Sequence, residues 1–467
     1  MVFSSMTFVP LFLPLILILY YATRHSGIRN SVLLIFSLLF YAWGEPKWIF
    51  VMLLTVTVNY LCGLAISRSQ SKFRRTISMI LGVSLSLGFL VYFKYFGFFS
   101  DIVTSLIGVE NTFQKPVLPI GISFYTFQVL TYTVDVYRGK VPVQKNFGKL
   151  LMYVSFFPQL IAGPIVNYTD IAPELGRRKE NLDEIYQGFI RFFIGFSKKV
   201  LLANTCGVIT DKLSGLDSLS VAGSWLLAIA YAFQIYFDFS GYSDMAIGMG
   251  WMFGFHFFEN FNYPYISQSV TEFWRRWHIS LGTFFRNYVY IPLGGNRVGT
   301  AKNIRNILIV WFLTGFWHGA SWNFIVWGMY YGALLLVEKF LLRDLKKKLP
   351  AVVNIATTFL LVLIGWVFFY YEDLSAALHH LCVMFGLSGA ALSDPWAVYY
   401  FKHNLVFLIT AALASLPWKQ LLQKLPCRNT LNAAGSWVKP LIVTVLFLLS
   451  IAMVVTQSYN PFLYFRF

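Results

Sequence analysis

The stretch NILIVWFLTGFWHGASWNFIVWGMYYGALLLV, residues 306–337, contains no Asp, Glu, Lys or Arg. About 18 or more such residues can cross ~30 Å of hydrocarbon as a helix that rises 1.5 Å per residue. This pattern, repeated along the chain, predicts an all-α polytopic membrane protein. Seven other charge-free runs lie at 48–67, 76–93, 116–134, 150–169, 218–237, 351–371 and 440–465.

The composition of the whole chain supports this class. Its 467 residues are 57% hydrophobic and only 12% charged, about half the charged fraction of ordinary soluble domains. This excludes a string of soluble domains as well as disordered and fibrous proteins. The apolar runs are also too long for the short alternating strands of an outer-membrane β-barrel.

The net charge of +17 raises the possibility of a nucleic-acid partner. In a membrane protein, however, excess Lys and Arg mark loops retained on the cytoplasmic side, and they can also attract anionic lipid headgroups. We therefore expect the lipid bilayer, and no nucleic acid, as a partner. No motif with metal-ligand spacing is present, so we also expect no metal.

Basic clusters predict the topology. Arg24 and Arg29 follow the first apolar span, and Arg68 to Arg75 follow the third, so both clusters can lie in the cytoplasm with the N-terminus outside. We expect about 11 spans in one membrane domain, 1–467. Gly163-Pro164 and Gly241 interrupt two candidate spans and predict re-entrant or broken helices there.

Residues 259–305 interleave basic and aromatic side chains, as in EFWRRWHISLGTFFRNYVYIPLGGNR at 272–297. This mixture indicates an interfacial segment on the cytoplasmic side, either against lipid or around a phosphorylated cofactor. A helical hairpin over 306–341 should follow it.

His318 lies within the charge-free stretch, 13 residues after Arg305 and hence about 20 Å further along a helix. Ionisable groups at that depth are costly and usually functional, and a neutral imidazole there could act as a general base. The small residues at 315, 319, 320 and 321 predict room beside the ring. A packing histidine is the alternative.

Two further sets of polar residues have structural and functional interpretations. His278 ends the run FWRRWH and could be an interfacial residue or a partner of His318. Asp238 and Asp244 could serve a proton relay, although helix capping by Asp238 or Ser240 is the simpler interpretation. Gln159 lies in a kinked polar segment that could line a channel.

The motifs FDFSGYSDMAIG at 237–248, EFWRRWHISLGTFFRNYVYIPLGGNR at 272–297 and GFWHGASWNFIVWG at 315–328 resemble the membrane-bound O-acyltransferase (MBOAT) superfamily. With the opening MVFSS and the terminal NPFLYFRF, the resemblance covers the whole chain and is greatest to the bacterial alginate O-acetyltransferase branch. Asn287 departs from the acidic residue expected in relatives. The family fold implied is a ring of tilted helices around a central funnel.

The resemblance implies an acetyltransferase of the bacterial inner membrane with His318 as base and His278 as a second catalytic position. It implies acetyl-CoA as donor substrate, a cell-surface polysaccharide as indirect acceptor, and an extracytoplasmic SGNH-type partner. The cations near the interface suit the phosphates of coenzyme A. The donor-binding candidates are Arg275, Arg276, Arg297, Lys302, Arg305 and Trp274, and the tunnel candidates are Trp317, Ser321, Trp322, Asn323 and Gln159.

Three other functions remain open from the sequence. A D-alanyl transferase for teichoic acids would take its acyl group from a carrier protein, and a long-chain acyltransferase would use fatty acyl-CoA. A transporter would use 315–328 as a permeation path, although no internal repeat supports it.

Overall fold

A computed structural model describes residues 2–161, 163–178, 180–423, 428–457 and 459–463, and among these it contains helices and no strand. Met1, Cys427 and the last four residues of the terminal motif lie outside the described part of the chain. The chain forms two compact units, Met1–Phe192 with Tyr242–Phe258 and Phe193–Gly241 with Glu259–Phe467.

The first unit begins with a π-helical segment, Phe8–Phe12, and contains a second at Val91–Tyr95. Its helices are α1 Leu13–Tyr21, α2 Ser26–Gly44, α3 Ile49–Arg68, α4 Lys72–Leu90, α5 Phe96–Ile107, α6 Ile122–Tyr137, α7 Phe147–Ser155, α8 Phe157–Leu160, α9 Tyr168–Gly176 and most of α10 Leu182–Ser197.

A buried polar network joins α3, α4 and α6. Asn59, which is fully buried, donates to the Ser86 hydroxyl at 2.7 Å and accepts from the Thr133 hydroxyl at 2.6 Å. Because hydrocarbon supplies no water, polar side chains in such helices find partners on one another. The three hydroxyl and amide groups therefore fix which helix faces meet.

The second unit carries the motifs of the sequence analysis and includes π-helical segments at Lys198–Ala203, Arg286–Tyr290 and Glu338–Leu342. Its helices are α11 Asn204–Ser214, the first part of α12 Val221–Met252, α13 Val270–Arg276, α14 Ile279–Phe285, α15 Thr300–His318, α16 Trp322–Val337, α17 Arg343–Lys348, α18 Ala351–Tyr370, α19 Leu374–Met384, α20 Pro395–Ala414, α21 Trp418–Leu422 and α22 Arg428–Thr456.

The predicted break at Gly241 is wrong, because helix α12 runs through this residue without interruption. A Cβ at Gly241 would lie 2.7 Å from the carbonyl oxygen of Gly195 in α10. This glycine therefore allows two helices to approach closely and does not interrupt the span. At Gly163-Pro164, by contrast, no helix continues. The short helix α8 ends at Leu160, and the chain is irregular at this pair.

Nine helical stretches of the described residues are long and apolar enough to span a membrane, which makes the chain a multi-pass membrane protein. The expected count of about 11 is not confirmed, partly because two predicted spans merge into α12 and α6 is only 16 residues long. The nine are Ser26–Gly44, Ile49–Arg68, Lys72–Ile107, Leu182–Ser214, Val221–Met252, Trp322–Lys348, Ala351–Tyr370, Pro395–Ala414 and Val438–Thr456.

The segment 259–305 consists of short helices and turns, with α13, α14 and a π-helical turn between α12 and α15. Ser269 starts α13 by accepting from the backbone N–H of Glu272, and Glu272 then pairs with Arg276 one turn later at 2.7 Å. The predicted hairpin follows as α15 and α16, joined by three residues.

Candidate active site

His318 is the last residue of α15 and is only 5% exposed. Because α15 is continuous from Thr300, Arg305 and His318 lie on one helix, about 20 Å apart along its axis. Aromatic rings surround the imidazole. The ring centroids of Trp317, Trp327 and Phe369 lie 4.9, 5.0 and 5.1 Å from that of His318, each meeting it edge to face.

The His318 imidazole forms part of the wall of a cavity of about 20 Å³. This is room for about one water molecule. We call it the inner cavity. Among the described residues, Asp238 is the one carboxylate in its wall, and the remaining lining is apolar or aromatic: Ile235, Phe239, Trp277, Trp327, Trp366, Phe369, Phe462 and Leu463.

Two of the four small residues expected to leave room beside the His318 ring, Gly315 and Gly319, instead lie against neighbouring atoms. A Cβ at Gly315 would lie 2.2 Å from the carbonyl oxygen of Phe324, and one at Gly319 would lie 2.2 Å from the Phe324 ring. On the facing helix, a Cβ at Gly328 would lie 2.3 Å from the carbonyl oxygen of Trp311. These glycines let α15 and α16 touch backbone to backbone, which positions His318 rigidly.

His278 occupies the turn between α13 and α14 and is 2% exposed. Its backbone is left-handed, with φ of 44° and ψ of 54°, a conformation that costs a non-glycine residue on the order of 1 kcal/mol or more. The ring nitrogen Nδ1 lies 3.1 Å from Oδ1 of Asn260. That oxygen also accepts from the Ser280 backbone N–H and hydroxyl, at 3.2 and 2.9 Å.

Since Oδ1 of Asn260 is an acceptor for all three groups, Nδ1 of His278 carries the proton and donates to it. The remaining nitrogen, Nε2, is then an acceptor. Burial lowers the pKa of His278 from 6.5 to about 3, so the ring is neutral at physiological pH.

Both histidines lie close to the ring of Trp317. The Trp317 ring centroid is 4.9 Å from that of His318 and 6.1 Å from that of His278. The fold thus brings both predicted catalytic positions to one tryptophan although 40 residues separate them.

A second cavity, of about 190 Å³, lies beside His278, and we call it the outer cavity. Trp277 lines both cavities. Within the described part of the chain, Arg286 is the one formal cation in the wall of the outer cavity, which is otherwise mostly aromatic, aliphatic or small. Its further lining residues are Trp274, Leu281, Gly282, Phe285, Tyr290, Val310, Trp311 and Thr314.

The predicted donor-binding residues differ in their surroundings. Arg276 is held by Glu272 and by the carbonyl oxygen of Asn262, at 2.7 and 3.1 Å. Arg305 bonds to the side chain of Asn306 at 3.0 Å, and Trp274 lies in the outer cavity wall. Arg275, Arg297, Lys302 and Arg305 are exposed.

The predicted tunnel residues are also dispersed. Ser321 precedes α16, and its neighbour Trp322 is 56% exposed. Asn323 is 1% exposed and donates to the carbonyl oxygen of Tyr371 at 2.6 Å. Gln159 belongs to the first unit, where its buried amide donates to the carbonyl oxygen of Tyr153.

Neither Asp238 nor Asp244 caps a helix, because both lie inside α12. Asp244 pairs with Arg191 at 2.9 Å within the first unit. Asp238 pairs with Lys199 at 2.6 Å within the second, and both of those side chains are 3% exposed. Charged residues of opposite sign in apolar surroundings were visible in the sequence. The spacing of these residues along the chain does not predict which of them pair.

Sequence reasoning did not single out Lys199, Arg286 or the C-terminal residues as part of this region. Arg286 stands in the basic segment already noted, so its type and location were visible. Among the described residues, no group of three or more His, Cys, Asp or Glu side chains is arranged to hold a metal.

The family model for membrane-bound O-acyltransferases (MBOAT) matches residues 142–372, which include both histidines. Together with full-length similarity to curated members, this shows that the chain belongs to the MBOAT family and is an O-acyltransferase. Membership in an acyltransferase family does not support the transporter alternative.

Within the family, the chain falls in the alginate O-acetylase-like branch. It is 40% identical to the probable alginate O-acetylase AlgI of Pseudomonas putida over 100% of both chains. It is 34% identical to the peptidoglycan O-acetyltransferase of Helicobacter pylori, covering 84% of this chain and 81% of that one. Similarity to the teichoic acid D-alanyltransferase of Bacillus subtilis is 30% over 53% of this chain and 66% of that one.

Proposed function

We propose that this membrane O-acetyltransferase takes acetyl groups from cytosolic acetyl-CoA and supplies them for O-acetylation of an extracytoplasmic cell-surface polysaccharide. His318 is the general base, and an extracytoplasmic SGNH-type protein completes the transfer. The observation that carries the proposal is the buried His318 imidazole in the wall of the inner cavity, one tryptophan away from His278.

The chemistry requires one proton acceptor beside the reacting hydroxyl. His318 takes the proton as the hydroxyl oxygen attacks the thioester carbonyl carbon, the carbon–sulfur bond breaks, and the coenzyme A thiolate leaves and is protonated. A positioned general base of this kind accelerates such a step by about 10²–10⁴-fold. The aromatic rings around the imidazole keep it out of bulk water.

His278 suits a positioning role. In the tautomer fixed by Asn260, Nε2 can accept a hydrogen bond from a thiol or hydroxyl but has no proton to donate to an oxyanion. The strained backbone at this residue supports a functional role, because such conformations persist where the surrounding structure enforces them.

The donor enters through the outer cavity in this proposal. Arg286 in its wall, with exposed Arg275, Arg297, Lys302 and Arg305 in the same chain segment, supplies cations for the phosphates. Arg276 contributes less because Glu272 already neutralises it. The pantetheine arm spans roughly 15–20 Å, similar to the length of α15 between Arg305 and His318.

A donor-competition assay tests the function. Purified protein with its partner receives labelled acetyl-CoA, a D-alanyl-loaded carrier protein or a fatty acyl-CoA, and label is followed into purified polysaccharides. We expect transfer from acetyl-CoA alone. Transfer from the carrier protein would instead support the D-alanyl transferase, and transfer of the fatty acyl group would support the long-chain enzyme.

The role of Arg286 is tested separately. Replacing it with alanine removes one charge-assisted contact, worth about 1.5–3 kcal/mol, so KM for acetyl-CoA should rise about tenfold or more while kcat changes little. Lys347→Ala is the matched control, since Lys347 is exposed and pairs only with exposed Asp344 among the ion pairs of the described residues. An unchanged KM in Arg286→Ala would remove this residue from the donor site.

The proposed location is the bacterial inner membrane with the N-terminus outside, as the basic loops predict. Protease or thiol-labelling access to a tag at the N-terminus of intact spheroplasts tests the orientation. Protection of that tag would contradict it.

A further inference from the structure

The C-terminal segment 459–463 packs into the second unit by contacts that the proposed chemistry does not use. Asn204 of α11 bonds to the carbonyl oxygen of Tyr459 and the side chain of Asn460, at 3.3 and 3.2 Å. The Tyr459 hydroxyl donates to Asp211 at 2.7 Å. These bonds hold the beginning of the segment against α11.

The buried ion pair of Lys199 and Asp238 holds the end of the same segment. Lys199 donates to the carbonyl oxygen of Pro461, and Oδ2 of Asp238 accepts the backbone N–H of Leu463 at 2.9 Å. Oδ1 of Asp238 is 2.6 Å from Nζ of Lys199. Lys199 and Asp238 therefore bond both to each other and to the backbone of the C-terminal segment.

Such a pair is expensive to bury. Desolvation costs several kcal/mol per ion, and apolar replacements of a buried pair are often neutral or stabilising. Ionisable groups inside membrane-spanning stretches are rare and usually functional, and here Lys199 and Asp238 both lie in such stretches. We therefore expect the pair to have a role beyond holding two helices together.

The consequence of these bonds lies in the inner cavity. Phe462 and Leu463 are 9% and 8% exposed and line it together with His318. Asp238 lines it as well. The residues that the ion pair holds in place are thus the residues that limit the free volume beside the catalytic base.

We propose that the Lys199–Asp238 pair positions the C-terminal segment so that Phe462 and Leu463 restrict the transferred group at His318 to two carbons. This inference rests on the proposed function, whose acyl donor it makes specific. Phe462 and Leu463 are specificity-determining residues, and Lys199 and Asp238 are positioning residues. The cavity has room for about one water molecule, so an acetyl group already presses on this wall and each further methylene group would require the wall to retreat more.

The experiment measures kcat/KM for acetyl-, propionyl- and butyryl-CoA, normalised to folded protein. Leu463→Ala should raise the butyryl-to-acetyl ratio by about tenfold or more, since each methylene in a tight apolar site discriminates roughly 10–200-fold. Leu408→Ala is the matched control. Leu408 is also 8% exposed but packs in a separate cluster with Leu213 and Leu226. Its ratio should equal that of the wild type.

A milder variant, Leu463→Val, covers the case in which the alanine variant does not fold. It should raise the propionyl-to-acetyl ratio of kcat/KM several-fold. An unchanged ratio in every folded Leu463 variant overturns the proposal.

The ion pair is tested by the double variant Lys199→Met/Asp238→Leu, which removes both charges together. It should remain folded but lose acyl selectivity, because the bonds to the Pro461 carbonyl oxygen and the Leu463 N–H are then lost. A variant with wild-type thermal stability and wild-type selectivity would show that the pair is merely structural and would overturn its positioning role.

Failure of this inference differs from failure of the proposed function. If wild-type protein transfers no acetyl from coenzyme A, the proposed function itself is wrong. If wild-type protein transfers acetyl but the variants keep its chain-length profile, only the role of the C-terminal segment is wrong.

Discussion

Alanine substitutions at Gly315 and Gly319 should damage the protein in different ways, although both glycines face Phe324. A Cβ at Gly315 would lie 2.2 Å from the Phe324 carbonyl oxygen, whereas carbon–oxygen contacts normally begin near ~3.3 Å. The α15–α16 backbones must therefore separate by about 1 Å. Overpacking of this kind costs about 1–3 kcal/mol. Since His318 lies one turn further along α15, a shift of about 1 Å should also lower kcat about 100-fold.

At Gly319, the same 2.2 Å contact is to the Phe324 ring and not to the backbone. Removing the ring by Phe324→Ala should relieve the clash. In a Phe324→Ala background, Gly319→Ala should cost nearly nothing, whereas Gly315→Ala should keep its full cost. The expected coupling of about 1–3 kcal/mol between positions 319 and 324 is measurable by a double-mutant cycle.

Thermal unfolding in detergent provides the measurement, with activity recorded in parallel. Gly88→Ala in α4 is the control, because apart from its own helix nothing described lies within 4 Å of a Cβ there. It should be neutral or stabilising by up to about 1 kcal/mol. If Gly315→Ala has the melting temperature and the acetyl transfer of wild type, the proposed backbone contact is wrong. It is also wrong if Phe324→Ala restores the stability of Gly315→Ala.

Two further predictions concern buried polar groups. The pKa of His278 is lowered from 6.5 to about 3, so acidification protonates the unfolded chain but not the folded one. Stability should therefore fall by about 2 kcal/mol from pH 7 to 5. His278→Gln should remove that loss, whereas His379→Gln, at an exposed histidine, should not. If the unfolding free energy of wild type and of both variants changes equally with pH, burial of His278 is not the cause. Glu338 accepts the first backbone N–H groups of α13, from Val270 and Thr271, at 2.7 and 2.9 Å. Glu338→Gln should cost about 1–3 kcal/mol of unfolding free energy, against at most about 0.5 kcal/mol for exposed Asp344→Asn, and equal melting temperatures for these two variants would contradict this.

Helices that cross the bilayer as uninterrupted apolar runs could be predicted closely from sequence. The charge-free run at 351–371 corresponds to α18, Ala351–Tyr370, and the run at 48–67 corresponds to α3, Ile49–Arg68. In these cases hydrophobicity alone dictates the structure, since each backbone group must bond within its own helix. The hairpin of α15 and α16 was predicted for the same reason.

Glycine was the source of the main errors. Gly241 looked like a break and Gly315 looked like open space, yet both allow backbone contact between helices. A sequence shows that a Cβ is missing but does not show what fills the space. That distinction depends on tertiary packing, which periodicity does not encode.

The candidate site was predictable in its residue types and not in its arrangement. His318 and His278 stood out because polar residues in aromatic, apolar surroundings are costly. The pairing of Lys199 with Asp238, and the bond from Lys199 to Pro461, join parts of the chain up to about 260 residues apart. Contacts of that range follow from the whole fold and leave no local pattern.

The central claim is that the His318 imidazole accepts the proton of the attacking hydroxyl. Its most direct test is transfer of labelled acetyl from acetyl-CoA by purified His318→Ala, compared with wild type and with exposed His379→Ala at equal amounts of folded protein. We predict a loss of about 10²–10⁴-fold in His318→Ala and wild-type transfer in His379→Ala. Undiminished transfer by folded His318→Ala would contradict the account.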